Sequence, residues 1–374
     1  MKEIVMTAQP KRTYYLDNLR IYLTILVILH HAALAYGGTG GWSIHDVVSD
    51  GISPILLTLF NALNQSYFMT AFFLLAGYFT PRSFERKGTK TFLMDRFVRL
   101  GIPLVVYTTV GINLNSFLVS TFQLGIPFQF NFRYEAGHLW FVQVLLIFAL
   151  LYTFFLRGRS NTNPDTQTTF PSNIKIWSAV LSLSILTFLM RLVYPVGETI
   201  LGIQPGHIVH YIFAFFIGTK AYHHDWFGKI TKDIGKRWGY CALLTFPVLI
   251  IVMVFGGVLE NDANVAMFMG SFTWQAAAYA IWESIMMVSV IIFLLYFFRE
   301  KLNRTSALTI GMAASLYTVY IIHQTILYGL NIGFLSIEIP SYSKFFVVSL
   351  IGVTLSFLLS IPVRKLPYAD RVLG

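Results

Sequence analysis

The sequence predicts an all-α membrane protein, a polytopic bundle of about ten transmembrane helices with both termini in the cytoplasm. Of its 374 residues, 56% are hydrophobic and only 12% are charged, whereas ordinary soluble domains have roughly 25% charged residues. Apolar runs of near-spanning length recur along the chain, and basic residues gather between alternate pairs of them. Lipid can solvate a surface of this composition, and water cannot.

Ten apolar runs are long enough, or nearly so, to cross the hydrocarbon core of a bilayer. They cover Leu19–Tyr36, Ala62–Thr80, Phe97–Leu118, His138–Leu156, Ile174–Tyr194, His207–Tyr222, Trp238–Leu259, Phe272–Phe298, Ala307–Asn331 and Phe345–Pro362. A further run, Ile52–Phe60, is too short to span and is either an interfacial helix or an extension of the second span. The polar stretch 158–173 is rich in turn residues. We interpret it as a cytoplasmic linker between two five-helix halves of one domain, 1–374.

The basic residues orient the bundle. All but three of the 27 Lys and Arg residues fall on alternate loops, the exceptions being Arg133, Arg191 and Lys344. Cytoplasmic loops carry such an excess of positive charge, so an even number of spans places both termini inside. The net charge of +10 is therefore an orientation signal. It does not form the clustered basic face of a nucleic-acid-binding domain, and we expect no nucleic acid partner.

Ionisable side chains within the runs are the first candidates for function, because each costs roughly 2.5–3.5 kcal/mol on insertion scales. Arg20 and His31 are eleven residues apart in the first run. This spacing puts them on one helix face, with His31 roughly 16 Å deeper. A neutral imidazole at that depth can accept a proton from a hydroxyl group. A structural histidine above an anchoring arginine explains the spacing equally well.

Two arginines lie at the inner end of the third run. Arg96 and Arg99 are three residues apart and share a helix face. Paired guanidinium groups can bind phosphate groups through two parallel hydrogen bonds. Membrane anchoring by contact with lipid headgroups is the simpler explanation of the spacing alone.

The remaining candidates lie at middle to outer depth. Glu283 is the only carboxylate deep in a span, and it needs a partner or a proton. A histidine partner is more plausible than Arg20, which lies nearer the inner face. His138 and Trp140 begin the fourth run from outside, where such residues commonly form an aromatic belt. Tyr320 and His323 share a face of the ninth run.

These motifs, in this order, resemble the acyltransferase-3 family of membrane O-acyltransferases. The resemblance covers nearly the whole chain and departs from the family pattern at Ala76, where members often carry Ser. The segments that carry it are Arg20 with His31 (Arg/Lys-x10-His), Phe72–Gly77, Arg96–Pro103, His138–Phe141 and Ser315–His323.

The resemblance implies transfer of an acyl group from cytoplasmic acyl-CoA to a hydroxyl of an envelope or extracellular carbohydrate. Succinyl-CoA and acetyl-CoA are the candidate donors, and no metal is expected. His31 would be catalytic with Arg20 as its companion, and Arg96 and Arg99 would bind the CoA phosphates. From depth and chemistry we add other candidates to these. Glu283 and His323 join the catalytic set, and His138, Trp140 and Tyr320 are expected to bind substrate.

The expected location is the plasma membrane, with lipids as surrounding partners. A multi-pass transporter or flippase of a glycan or small solute is the alternative, because polar residues within spans and a central cavity suit it as well.

Overall fold

The structure is a computed structural model that describes residues 13–47, 51–132, 134–155, 169–258 and 261–373, and within these ranges it is a helical bundle without β-strands. The helices are α1 Tyr14–Ala35, α2 Ser53–Arg96, α3 Ile102–Val106, α4 Ile112–Leu118, α5 Trp140–Phe155, α6 Asn173–Val193, α7 Pro205–His223, α8 Lys232–Phe255, α9 Ala266–Gly270, α10 Trp274–Lys301, α11 Ala307–Phe334, α12 Ser341–Arg364 and α13 Ala369–Leu373.

Eight helical stretches of the described chain are long and apolar enough to cross a membrane. One of them, Ser53–Gln123, is 71 residues long and contains both the second and the third predicted run. The sixth run lies on α7, which is not among the eight. The all-α polytopic bundle is therefore confirmed. The count of ten spans and the cytoplasmic placement of both termini stay predictions.

The chain between the second and third runs differs from the sequence prediction, which made it a loop. Here α2 continues as helix to Arg96 and is interrupted at Gly88, where φ is 70° and ψ is 168°. Glycine adopts a positive φ at little cost, so the helix bends at this point without unfolding on either side. The run Ile52–Phe60 belongs to α2, which begins at Ser53, so it extends the second span.

The segment after α2 alternates between two helical forms. Three π-helical turns, Phe97–Gly101, Tyr107–Gly111 and Val119–Gln123, alternate with α3 and α4. Such turns are rare and occur mostly as single insertions at functional sites. A 3₁₀ turn, Gly137–Leu139, then leads into α5.

Two glycines let α2 and α7 approach closely. A Cβ atom at Gly77 would overlap the backbone carbonyl of Phe215, and one at Gly218 would overlap the carbonyl of Leu74. Small residues at membrane helix crossings allow this kind of backbone contact. Gly77 ends the Phe72–Gly77 motif, so close helix packing is a physical reason for the last residue of that motif.

Helix α1 lies at the centre of the bundle, in contact with α2, α10, α11 and α12. It buries apolar residues on every side, including Leu16, Leu23 and Ile28, as expected of a helix surrounded by other helices. Helix α11 packs against both α1 and α12. This arrangement brings the predicted residues of α1 and α11 to one interface.

The predicted linker at 158–173 lies mostly outside the described residues, which resume at Thr169. Four of the ten predicted runs precede it and six follow it, so the parts that it joins differ in their number of runs. The division of the domain into halves stays a prediction.

Candidate active site

Three histidines from separate parts of the chain meet inside the bundle. His31 comes from α1, His138 from the 3₁₀ turn before α5, and His323 from α11. The Nδ1 atom of His31 is 2.9 Å from the Nε2 atom of His323, and the rings of His138 and His323 lie edge to face with centroids 4.9 Å apart. We call these three residues the histidine cluster.

The hydrogen bonds of His323 decide which nitrogen of His31 carries a proton. His323 Nδ1 lies 2.7 Å from the backbone oxygen of Tyr320. A carbonyl oxygen only accepts hydrogen bonds, so Nδ1 of His323 is the protonated nitrogen of that ring. In the neutral ring Nε2 is then an acceptor, and His31 donates to it through Nδ1–H. The remaining nitrogen of His31, Nε2, is left unprotonated as a base.

His31 differs from the other two histidines in having an unengaged nitrogen. The Nε2 atom of His138 lies 3.0 Å and 3.1 Å from the carbonyl oxygens of Tyr320 and Ile321, so it carries the proton of the neutral ring. Its Nδ1 lies 2.6 Å from Oε1 of Gln324 and accepts a hydrogen bond there when the amide presents its NH₂ group to the ring. Both nitrogens of His138 and of His323 are therefore occupied. Nε2 of His31 has no hydrogen-bond partner in the part of the chain that is described, and its side chain is only half-buried.

One face of α11 connects the histidine cluster with the predicted phosphate site. Tyr317 donates a hydrogen bond of 2.6 Å to the backbone oxygen of Arg99. One turn further along, Tyr320 donates to the carbonyl of His138. Another turn on, His323 bonds to His31. The sequence predicted that Tyr320 and His323 share a face, and here they occupy successive turns of it, about 4.5 Å apart along the axis.

The three predicted arginines are each engaged near the end of the bundle that is predicted to be cytoplasmic. Arg20 lies 3.7 Å from Asp17, with 39% of its side chain exposed. Arg99 pairs with Asp95 at 3.1 Å, and the guanidinium of Arg96 lies over the ring of Phe92, 4.8 Å from its centroid. None of the described contacts joins Arg20 to His31, which agrees with their predicted separation along α1.

Glu283 lies in a different cluster, where the expected histidine partner is joined by an arginine that the sequence analysis did not consider as a partner. The nearest basic group is Arg191 of α6, whose Nη2 donates to Oε2 of Glu283 over 2.6 Å. The expected histidine is also present, since His207 Nδ1 lies 3.2 Å from Oε1. A full positive charge is the stronger partner for a carboxylate without access to water, so Arg191 takes precedence. None of the described contacts joins Glu283 to His31.

The cluster around Glu283 is almost completely enclosed. The side chains of Arg191 and Glu283 are 0% and 1% exposed, and His210 lies 3.9 Å from the carboxylate. Arg191 also donates from Nε to the carbonyl of Gly206 over 3.1 Å. We call Arg191, His207, His210 and Glu283 the ion-pair cluster, and it fastens α6, α7 and α10 together. The sequence offered a signal for Arg191, because it lies inside the run Ile174–Tyr194.

The last predicted residue, Trp140, packs on the ring of Tyr211 with centroids 5.3 Å apart. A tryptophan that the sequence analysis did not single out, Trp42, stacks directly on His31. It follows the glycine-rich segment Gly37–Gly41, which has no apolar periodicity, so no sequence pattern places it beside His31. Within the described residues, no group of three or more His, Cys, Asp or Glu side chains could hold a metal ion.

Comparison with known proteins identifies the family. The family model for the acyltransferase-3 type, described as an acyltransferase domain, matches residues 13–364. The chain belongs to this family. It is thus a multi-pass membrane acyltransferase, which removes the reason for the transporter alternative. The matched region contains every residue of the histidine cluster.

Curated relatives agree with this assignment. The chain is 26% identical to glucans biosynthesis protein C of Escherichia coli O1:K1 / APEC over 284 residues, which cover 70% of this chain and 72% of that protein. It is 25% identical to the protein of the same name from Escherichia coli strain K12 over 283 residues, with the same coverage. No solved structure matches the chain.

Proposed function

We propose that this acyltransferase transfers an acyl group from acyl-CoA, supplied from the cytoplasm, to a hydroxyl group of a carbohydrate at the outer side of the plasma membrane, with His31 as the general base. The observation that supports this most directly is the hydrogen bond between His31 and His323. It leaves Nε2 of His31 unprotonated and without a hydrogen-bond partner among the described residues, on a residue that is only partly buried.

The reaction requires one base and one acid, and a single imidazole can serve as both. Nε2 of His31 takes the proton of the acceptor hydroxyl as its oxygen attacks the thioester carbonyl. The carbon–sulfur bond then breaks, and the imidazolium returns the proton to the leaving thiolate. The products are an ester and free CoA thiol. His323 is a positioning residue, since it holds the tautomer of His31 and contacts no reacting atom.

The donor is proposed to enter beside Arg96 and Arg99. Their guanidinium groups suit the phosphates of CoA, and Tyr317 ties the backbone of Arg99 to the face of α11 that carries His323. Tyr317 and His323 are six residues apart, about 9 Å along the helix. The flexible pantetheine arm of CoA is long enough to bridge such a distance. Arg20, which the family resemblance makes the companion of His31, lies in the same inner region and pairs with Asp17, so we propose that it acts on the donor and not on His31 directly.

The acceptor is proposed to approach from the opposite side, past His138, Trp140 and Tyr320. A carbohydrate is favoured as the acceptor because two relatives of this chain are named for the biosynthesis of glucans. A glucan is therefore the first acceptor to test. Aromatic rings such as that of Trp140 offer the apolar faces on which sugar rings commonly stack.

The test uses the full chain purified into lipid vesicles, with succinyl-CoA or acetyl-CoA and a glucan acceptor. Release of CoA thiol and the mass added to the glucan are both measured. The His31→Ala variant should transfer at least about 10³-fold more slowly, because it lacks the base and its acid function. His223→Ala, at the far end of α7, is the matched control and should remain active. An active His31→Ala variant would refute the assignment.

A further inference from the structure

Trp42 combines burial, contact with the proposed base and an unused hydrogen-bond donor. Its side chain is 8% exposed, and its ring stacks on that of His31 with centroids 5.3 Å apart and planes 18° from parallel. The indole Nε1–H is buried and has no hydrogen-bond partner among the described residues. Buried Trp N–H groups usually have a partner, so this donor requires an explanation.

An unpaired buried donor is costly. Leaving such a group unsatisfied costs roughly 1–3 kcal/mol. Two indole N–H groups of the described chain are buried without a partner, those of Trp42 and Trp226, and of these two rings only that of Trp42 stacks on His31. A residue that only filled space beside His31 could be a phenylalanine, which has no donor to satisfy. The indole N–H is accounted for if it gains its partner when substrate binds.

The loop that carries Trp42 holds the ring firmly in place. Tyr328 packs edge-on against Trp42 with centroids 4.7 Å apart and binds Ser43 through its hydroxyl at 3.0 Å. Beyond Ser43, Asp46 accepts a hydrogen bond of 2.6 Å from Lys344, whose side chain is 1% exposed. A donor fixed in this way loses no orientational freedom when it binds a ligand, which is what electrostatic stabilisation of a transition state requires.

We propose that Trp42 is a catalytic residue whose indole N–H donates a hydrogen bond to the oxyanion of the acyl-transfer intermediate. The inference rests on the proposed function, because it needs His31 to act as the base. When the hydroxyl oxygen attacks the thioester, the electron pair of the C=O bond moves to the carbonyl oxygen. That oxygen keeps the charge until the carbon–sulfur bond breaks, and the indole stabilises it meanwhile.

The distances are consistent with this role. The attacking oxygen lies roughly 3 Å from Nε2 of His31, and the carbonyl carbon lies about 3 Å further on. The oxyanion must therefore form within about 7 Å of Nε2 of His31, a distance that includes the region beside the Trp42 ring. His30 also has a buried nitrogen without a described partner. Its ring lies edge-on to that of His31 with centroids 5.9 Å apart and also packs on Phe68 of α2 at 4.9 Å, whereas Trp42 lies over the face of the His31 ring.

The experiment compares variants of Trp42 in the vesicle assay. Trp42→Phe keeps an aromatic ring on His31 and removes the donor, so kcat should fall by about 10²-fold, the usual effect of losing one oxyanion donor. The KM for acyl-CoA should change less than threefold. Trp177→Phe is the matched control, since Trp177 is 44% exposed on α6 and should leave kcat unchanged.

A second substitution separates the donor from the shape of the ring. Benzothienylalanine, introduced at position 42 by codon suppression, has the shape of tryptophan with sulfur in place of N–H. It should reproduce the loss in kcat with an unchanged unfolding temperature. A kcat within threefold of wild type for this variant would overturn the proposal, even if Trp42→Phe were inactive. The wider function would stand in that case as long as His31→Ala was inactive in the same assay.

Discussion

The histidine cluster and the ion-pair cluster are both buried groups of titratable side chains, but they differ in what they leave unused. In the ion-pair cluster the charge of Glu283 is neutralised by Arg191 at 2.6 Å and supported by His207. In the histidine cluster no charge needs neutralising, and Nε2 of His31 is left open. Burial of an ionisable group alone therefore does not indicate catalysis. An unengaged proton acceptor is the better sign, because the unpartnered atom of the ion-pair cluster, Nη1 of Arg191, can only donate a hydrogen bond.

The largest effect is expected from breaking the ion-pair cluster. Glu283→Ala leaves the guanidinium of Arg191 buried without its partner, which should lower the free energy of unfolding by about 3–5 kcal/mol. Thermal unfolding of the purified protein in detergent measures this. The double variant Arg191→Met, Glu283→Met should be less destabilised than Glu283→Ala, because it leaves no buried charge. Equal stability of Glu283→Ala and wild type would show that the cluster does not hold α6, α7 and α10 together.

A smaller effect, on rate and not on stability, is expected at His323. His323→Ala removes the acceptor that holds the tautomer of His31, so kcat should fall by about 10²-fold or more while the KM for acyl-CoA changes little. His323→Gln offers a side-chain oxygen to the same Nδ1–H and should recover part of the loss. If both variants kept wild-type kcat, His31 would not depend on His323 for its orientation.

The smallest effect is expected at the predicted donor site, outside both clusters. Arg96→Ala together with Arg99→Ala should raise the KM for acyl-CoA about tenfold, since each partly exposed charged contact is worth roughly 0.2–1 kcal/mol and a tenfold change corresponds to about 1.4 kcal/mol. Acyl-pantetheine lacks the phosphates of CoA, so the double variant and wild type should use it equally well. Arg82→Ala together with Arg86→Ala removes the same charge from exposed positions of α2 and serves as the control. If the KM of the double variant equalled that of wild type, the two arginines would not bind CoA, and contact with lipid headgroups would explain them.

Sequence reasoning identified residues whose chemistry is unusual for their surroundings. The hydrophobic runs predict the bundle, because a segment in lipid needs an apolar surface and must satisfy its backbone hydrogen bonds internally, as a helix does. His31, His323 and His138 stood out as polar residues in or next to these runs, and the structure brings them together. Their roles stay predictions, and the proposed experiments test them.

Other features depend on contacts between distant segments, which periodicity cannot reveal. The distribution of basic residues places Arg191 on the outer side, although its position in an apolar run makes it as unusual as Glu283. The polar, basic composition on both sides of Gly88 predicts a loop, but such residues also tolerate a helix well. Trp42 lies in a turn-rich segment, and its contact with His31 arises only when that segment folds back over α1.

The crossing of α2 and α7 limits how the bundle can move. At Gly77 and Gly218 the two backbones touch without intervening side chains, so neither helix can rotate or slide past the other without a collision between main chains. Beyond Gly88, where the helix is interrupted, the second arm of α2 is held to the first by side chains, through the Lys87–Asp95 ion pair at 2.8 Å and the contact between the rings of Phe84 and Phe92. Contacts between side chains can rearrange more readily than contacts between main chains, so the crossing at Gly77 and Gly218 is the more rigid of the two regions.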